Sequence, residues 1–174
     1  MHEPRPPGIL LSAEQIQKRV AELAQAIRRD APDNLHLVAV LKGAFMFVAD
    51  LVRYLSGPVS VDFMVVSSYG GGTTSPGDIR LVKDIGAPLD GKHVVIVEDI
   101  VDTGVTLVRL QRILLERNPS SLKTVCLLSK AARRQVDVTV DYIGFPIDDR
   151  FVVGYGMDYA EQYRHLPHVA ILDL

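Results

Sequence analysis

Residues 93–107, HVVIVEDIVDTGVTL, hold a β-branched apolar run, three acidic side chains within five positions, and a turn rich in hydroxyls and glycine. The run His93 to Val97 follows the turn signal Asp90-Gly91-Lys92 and predicts a strand, over 93–98, buried in a parallel sheet. Ligands of such sheets collect at the carboxyl ends of the strands. Glu98 and Asp99 point to opposite sides of that end, where carboxylates accept hydrogen bonds from vicinal hydroxyls or bind a divalent cation. The turn Thr103-Gly104-Val105-Thr106 adds two hydroxyls and backbone N–H groups at the start of a predicted helix over 107–115. Such a turn cradles phosphate.

An Asp-Thr-Gly turn before a helix can also be a plain N-cap. Three carboxylates at a buried strand end nevertheless repel one another, and stability alone does not place them there without a cation or polyol to absorb the charge. The whole string therefore points to a binding site.

Working outward, Ser12 with Gln15 forms a capping box, and Ile16, Val20, Leu23, Ala24 and Ile27 recur at helical spacing, predicting an amphipathic helix over 13–30. Strands are expected at 35–41, 59–67, 79–85 and 124–129, with a buried helix at 44–55. Short strands are expected at 138–143, 151–153 and 169–172. Residues 69–78, YGGGTTSPGD, are too poor in apolar groups to pack and predict a flexible loop within one domain. Residues 1–8 are proline-rich and predict a loosely ordered start. Alternating strand and helix predict an α/β, doubly wound, mainly parallel sheet in a single domain over 1–174.

Bulk properties narrow the function. The chain has 174 residues, 48% of them hydrophobic, enough for a core without staples. Its 19 basic and 21 acidic residues give a formal charge of -2, so neither nucleic acid nor an anionic membrane is an expected partner. The single cysteine, Cys126, lies in an apolar run and excludes a disulfide framework. The N-terminus lacks a signal core, and no apolar stretch approaches a membrane span, so a cytoplasmic setting is expected. P-loop and dinucleotide-binding glycine motifs are absent, and the histidines lack ligand spacing.

The string VVIVEDIVDTGVTL resembles the phosphoribosyl pyrophosphate (PRPP) binding motif of type I phosphoribosyltransferases: an apolar strand, two acids, a spacer, then Asp-Thr-Gly-x-Thr. Leu41-Lys42-Gly43, Ser67-Ser68-Tyr69-Gly70, Leu128-Ser129-Lys130, Phe151-Val152-Val153-Gly154-Tyr155 and Asp158-Tyr159 fall in the order and spacing of the hypoxanthine-guanine branch. The resemblance covers nearly the whole chain. It implies a small hood built from the N- and C-terminal segments, and purine salvage. In that reaction a purine N9 displaces pyrophosphate from C1 of PRPP, giving IMP or GMP.

Roles follow from the resemblance and suit the side chains. Backbone N–H groups of Asp102, Thr103, Gly104, Val105 and Thr106, with the two threonine hydroxyls, would hold the 5′-phosphate; some relatives carry a basic residue where Val105 stands. Glu98 and Asp99 would hold the ribose and Mg²⁺. Leu41, Lys42, Gly43, Arg164, Ser68 and Tyr69 would surround the pyrophosphate, and the peptide joining 41 and 42 is often cis in this family. Asp102 is the candidate general base at N7. Lys130 can only donate, so it suits the O6 acceptor of a 6-oxopurine and meets the amino group of adenine donor to donor. Phe151 or Val152 would stack on the ring, with Phe151 as plain core a close competitor. The Val152 carbonyl and Asp158 backbone would lie near the purine 2-position, and the Asp158 carboxylate is a further Mg²⁺ ligand. The family usually forms homodimers or homotetramers.

Three rivals remain. A regulatory PRPP-binding protein would need a basic face or an added DNA-binding region, and the chain shows neither. A receiver-like phosphoacceptor at Asp99 would need an acidic pair where Lys42-Gly43 stands. A preference for xanthine depends on a few atoms at the purine 2-position.

Overall fold

The computed structural model describes residues 8–68 and 79–173; the predicted loop at 69–78, Tyr69 included, and the loose start at 1–7 lie outside the described residues. The central sheet contains β2 (Leu35–Leu41), β3 (Ser60–Ser68), β4 (Ile79–Lys83), β5 (His93–Val101), β6 (Ser121–Ser129) and β7 (Tyr142–Pro146). Its order is β4-β3-β2-β5-β6-β7, parallel throughout except for the antiparallel edge strand β4. Helices α1 (Ala13–Asp30) and α2 (Phe45–Tyr54) cover one face, and α3 (Val105–Leu115) covers the other. Alternate residues of β5 show the division: Val95 and Val97 pack with α1 and α2, whereas Val94 and Ile96 pack with α3. The unbroken apolar run in the sequence is thus explained by burial on both faces.

From β2 the chain winds outward to β3, and from β5 it winds the other way to β6. The carboxyl ends of β2 and β5 are therefore the switch point, where an open α/β sheet leaves a crevice. The ladder geometry widens it. β5 pairs with β2 only as far as Val97 but with β6 as far as Val101. Residues 98 to 101 thus have a strand neighbour on the β6 side alone, so β5 outruns the predicted end at Glu98.

A second sheet joins the chain's ends. β1 (Gly8–Leu11) pairs antiparallel with β9 (Val169–Ile171), which pairs antiparallel with β8 (Val152–Val153). This is the expected hood, and Gly8 is already part of it opposite Ile171, which corrects its assignment to the loose start. The strand expected at 138–143 also moves. Val136 and Val138 lie against Gly104, and the Thr139 carbonyl accepts from Gln111 Nε2 (3.0 Å), so this stretch braces α3 and the chain enters the sheet at Tyr142. The Ser12–Gln15 capping box at α1 is present as read, with both reciprocal bonds made.

Candidate active site

Glu98 and Asp99 occupy the stretch of β5 that lacks a β2 neighbour. Glu98 faces a small cavity of about 120 Å³ shared with Asp102, Thr103, Gly104 and Thr106, while Asp99 faces a larger cleft of about 660 Å³. Burial pushes the Glu98 carboxyl well above the usual carboxylate range, and the neighbouring Asp99 charge adds to the shift. Burial likewise raises Asp99 to about 6; N–H bonds from Ile100 and its own backbone oppose the shift, as does Arg164, while Asp158 adds to it. Two desolvated carboxyls side by side invite a cation or hydroxyl donors.

Folding stability should record that cost. Asp99 is raised from 3.8 to about 6, so its contribution is fully present below the unfolded value and is lost as pH rises through the folded one. Asp99→Asn is expected to stabilise the ligand-free protein near neutral pH by about 1–3 kcal/mol, with the gain fading as the pH approaches 4. Calorimetric melting of both proteins across this range measures it. A variant no more stable than the parent above pH 7 would rule out a desolvated Asp99.

The turn before α3 is built by backbone. Gly104 stands at the N-cap of α3 with φ 85, and a Cβ there would lie 2.7 Å from Val138 Cγ1, so both conformation and space require glycine. No side chain caps this helix, which disposes of the capping role for Asp102. The helix starts at Val105 rather than at 107, and Val108 N–H makes its first internal bond, to the Gly104 carbonyl (3.0 Å). The small cavity at this helix start is lined by Asp102, Thr103, Gly104 and Thr106, and the Val105 N–H donates to Thr103 Oγ1 (3.4 Å).

The larger cleft is lined by Leu41, Lys42, Gly43, Asp99, Asp102, Lys130, Phe151, Val152, Asp158 and Arg164, bringing together residues from every predicted subsite. The Leu41-Lys42 peptide is cis, as expected from the resemblance. A Cβ at Gly43 would collide with the Asp99 carboxylate, and one at Gly156 would collide with the Gly43 carbonyl oxygen. Glycines thus let the 41–43 loop lie against both β5 and the hood. Arg164 extends beneath the loop, donating to the Gly156 carbonyl (2.8 Å) and pairing with Asp158 (2.9 Å). The backbone N–H of Glu161 donates to the other Asp158 oxygen (2.8 Å), so both oxygens of this predicted metal ligand are engaged within the protein. Ser68 closes β3, and Tyr69 lies outside the described residues.

At the other end of the cleft, Lys130 is buried and its ammonium lies 3.6 Å from Asp149. Asp149 also pairs with Arg133 (3.3 Å), whose Nε donates to Asp102 Oδ1 (2.9 Å). A continuous chain of ion pairs therefore joins Asp102 to Lys130. Arg134 donates to the Val101 and Asp102 carbonyls and to Ser129 Oγ (2.9 Å), clamping the ends of β5 and β6 together. Phe151 is 42% exposed and meets Tyr159 edge to face, with ring centroids 5.6 Å apart, so it is no core residue and its ring borders the cleft. Val152 is buried in β8, which leaves Phe151 as the ring available for stacking.

Arg133, Arg134, Asp149 and Glu161 were not singled out from the sequence. Charged residues after a strand or in a turn are common on any surface, and only the fold shows that Arg133 and Asp149 line the cleft while Arg134 and Glu161 bond to residues that do. The basic pair following Lys130 was the one available signal. Cys126 is buried in β6 and its thiol is pushed up to about 12, chiefly by burial, in keeping with a core role.

Among the described residues, no three His, Cys, Asp or Glu side chains form a metal-binding group by themselves. No described helix is long and apolar enough to cross a membrane.

A family model for the phosphoribosyl transferase domain matches residues 8–160. The chain is 47% identical over 165 residues to a hypoxanthine phosphoribosyltransferase of Haemophilus influenzae, covering 92% of each chain. It is 43% identical to a hypoxanthine-guanine phosphoribosyltransferase of Bacillus subtilis, covering 94% of this chain and 92% of that one. Among solved structures, a hypoxanthine-guanine phosphoribosyltransferase of Bacillus anthracis, with a HEPES molecule in its active site, is similar at a TM-score of 0.92 and 45% identity. That match covers 98% of this chain and 100% of the other. A hypoxanthine phosphoribosyl transferase of Trypanosoma cruzi, studied for the role of its C-terminal region in oligomeric state and activity, is similar at 0.92 and 42%. That match covers 99% and 95%.

Proposed function

The chain belongs to the phosphoribosyl transferase family, and from that premise we propose a purine salvage enzyme that transfers the 5-phosphoribosyl group of PRPP to N9 of hypoxanthine or guanine. The observation that carries the reading is the meeting, in one cleft beside the helix-terminal turn, of Lys42, Asp99, Asp102, Lys130 and Arg164. A PRPP-binding regulator does not require a buried lysine and a half-exposed aspartate lining one cleft.

In the proposed reaction the C1–oxygen bond to pyrophosphate breaks, its electron pair leaves with pyrophosphate, and N9 forms the new bond to C1. The purine imidazole loses one proton, which N7 passes to the Asp102 carboxylate. Charge at C1 develops beside Glu98 and Asp99, which also accept hydrogen bonds from the ribose hydroxyls. The turn 102–106 holds the 5′-phosphate through its N–H groups and the hydroxyls of Thr103 and Thr106. Lys42 and Arg164 offset the leaving charge, with Leu41, Gly43, Ser68 and Tyr69 around it. Lys130 donates to O6, Phe151 stacks on the ring, and the Val152 carbonyl and Asp158 backbone border the 2-position.

The donor set suits Mg²⁺. Glu98 and Asp99 are desolvated carboxyls whose raised values a cation would reverse. Among the described residues no three acids cluster as a metal-binding group, so the remaining ligands would be substrate oxygens and water, as Mg²⁺ prefers. Asp158 serves such an ion only by giving up Arg164 or the Glu161 N–H. When bound, Mg²⁺ would neutralise the leaving pyrophosphate.

We further propose a cytoplasmic homodimer or homotetramer. Half-exposed Phe45 and Tyr54 at the two ends of α2 supply apolar contact surface for a second copy.

Turnover of hypoxanthine, guanine, xanthine and adenine with PRPP and Mg²⁺, followed by pyrophosphate release, tests the activity. Hypoxanthine and guanine are expected to react and adenine to fail. Absence of turnover with every 6-oxopurine would overturn the proposal, and a faster rate with xanthine would shift it to that base.

A further inference from the structure

Three of the four residues 160, 161, 162 and 163 have backbone in the left-handed region without being glycine: Ala160 (φ 51), Glu161 (φ 62) and Tyr163 (φ 74). A non-glycine residue there is disfavoured, and three together persist only where surrounding contacts impose them. The contacts are present. Tyr159 and Gln162 exchange backbone bonds (3.2 and 2.9 Å), and the Glu161 N–H is anchored on Asp158 Oδ2 (2.8 Å). What the turn achieves is to set one acid against two of the cations that line the cleft. Glu161 Oε1 accepts from Lys42 Nζ at 3.0 Å and lies 3.4 Å from Arg164 Nη2.

A single oxygen bridging the lysine of the 41–43 loop and the arginine of the hood takes the place that an oxygen of pyrophosphate would need. We propose that Glu161 is a built-in competitor for the pyrophosphate subsite, an internal anion that PRPP displaces on binding and that returns to help expel the product. The proposal rests on the assignment of Lys42 and Arg164 to pyrophosphate made above. Its chemistry is competition: the carboxylate that pairs with Lys42, and that joins Asp158 on Arg164, contends with a diphosphate for the same donors. The Glu161 and Lys42 side chains are each 66% exposed, so the carboxylate can swing into water at small cost. Each exposed ion pair shifts an equilibrium by roughly a few-fold at most. That is weak enough for a polyanion to win and strong enough to matter to release.

Binding of inorganic pyrophosphate with Mg²⁺, measured calorimetrically on the full chain, tests this with Glu161→Gln, Glu161→Ala and Lys42→Ala. Both Glu161 variants are expected to bind pyrophosphate about 3- to 10-fold more tightly, with the KM for hypoxanthine unchanged and product inhibition by pyrophosphate stronger. Lys42→Ala is expected to bind it more weakly. If Lys42→Ala weakens binding and the Glu161 variants do not tighten it, the subsite stands and the competing role is overturned. If Lys42→Ala has no effect, the subsite assignment fails and takes the proposal with it.

Discussion

Asp102→Asn is expected to lower kcat by about 10²- to 10⁴-fold while leaving the KM for PRPP nearly unchanged. The amide keeps the shape of the carboxylate but cannot take up the N7 proton. PRPP binding should survive because the turn proposed to hold its 5′-phosphate does not depend on this side chain. α3 is capped by the backbone of Gly104, and Arg134 holds the Asp102 carbonyl whatever the side chain is. Asparagine caps a helix about as well as aspartate, so a purely structural role would leave the rate close to that of the parent. The variant also loses the ion pair with Arg133, and Arg133 retains Asp149. Steady-state kinetics with PRPP varied at saturating hypoxanthine measure both constants. A fall in kcat matched by an equal rise in KM would place Asp102 in binding and remove it as the base.

The sheet was legible because burial on both faces writes itself into sequence. Residues 93–97 have no polar member after His93, and only a strand with helices on both sides tolerates that. The hood was legible only through resemblance. β8 and β9 are two and three residues long, too short to carry a period, and the pairing of β9 with β1 joins opposite ends of the chain. Element ends were misplaced where tertiary structure overrides local pattern. β5 continues through Glu98 and Asp99, polar residues that ordinarily end a strand, because β6 pairs with it as far as Ser129. The expected strand at 138–143 has apolar residues in alternation, but Val138 packs on Gly104 and, with Val140, against the α3-side core instead of forming a ladder.

Within the site, residues tied to a motif were legible and their partners were not. Glu98, Asp99, Asp102 and Lys130 stand beside strand ends, a position that marks them as ligand-facing. Arg133, Asp149 and Glu161 gain meaning only from distances across the fold. Glu161 lies 119 residues from Lys42, and no local pattern signals that they meet. Each such partner is an acid or base that occupies a charge the substrates would otherwise find unpaired.

Lys130→Ala is expected to reduce kcat/KM for hypoxanthine and guanine by about 10²-fold, the loss of one hydrogen bond to a charged group. Its setting makes the bond hard to replace. Lys130 is 8% exposed, its backbone N–H is fixed to the Val101 carbonyl (3.0 Å), and it lines the cleft with its ammonium 3.6 Å from Asp149. A 6-oxo group brought there without the ammonium gives up water for nothing. Adenine should behave differently, because its 6-amino group meets donor against donor in the parent, and truncation removes that conflict. The ratio of hypoxanthine to adenine turnover should therefore collapse by more than the hypoxanthine rate alone. Lys130→Gln sharpens the point, since its amide oxygen can accept from the adenine amino group while its NH₂ can still donate to O6. Asp149 keeps Arg133 as a partner in both variants, and at 55% side-chain exposure it leaves no buried charge behind, so the fold should persist. Measuring kcat/KM for the three bases across the three proteins separates the cases. Equal losses for all of them would mean that Lys130 supports the cleft without reading the 6-position, and the basis proposed here for excluding adenine would have to be given up.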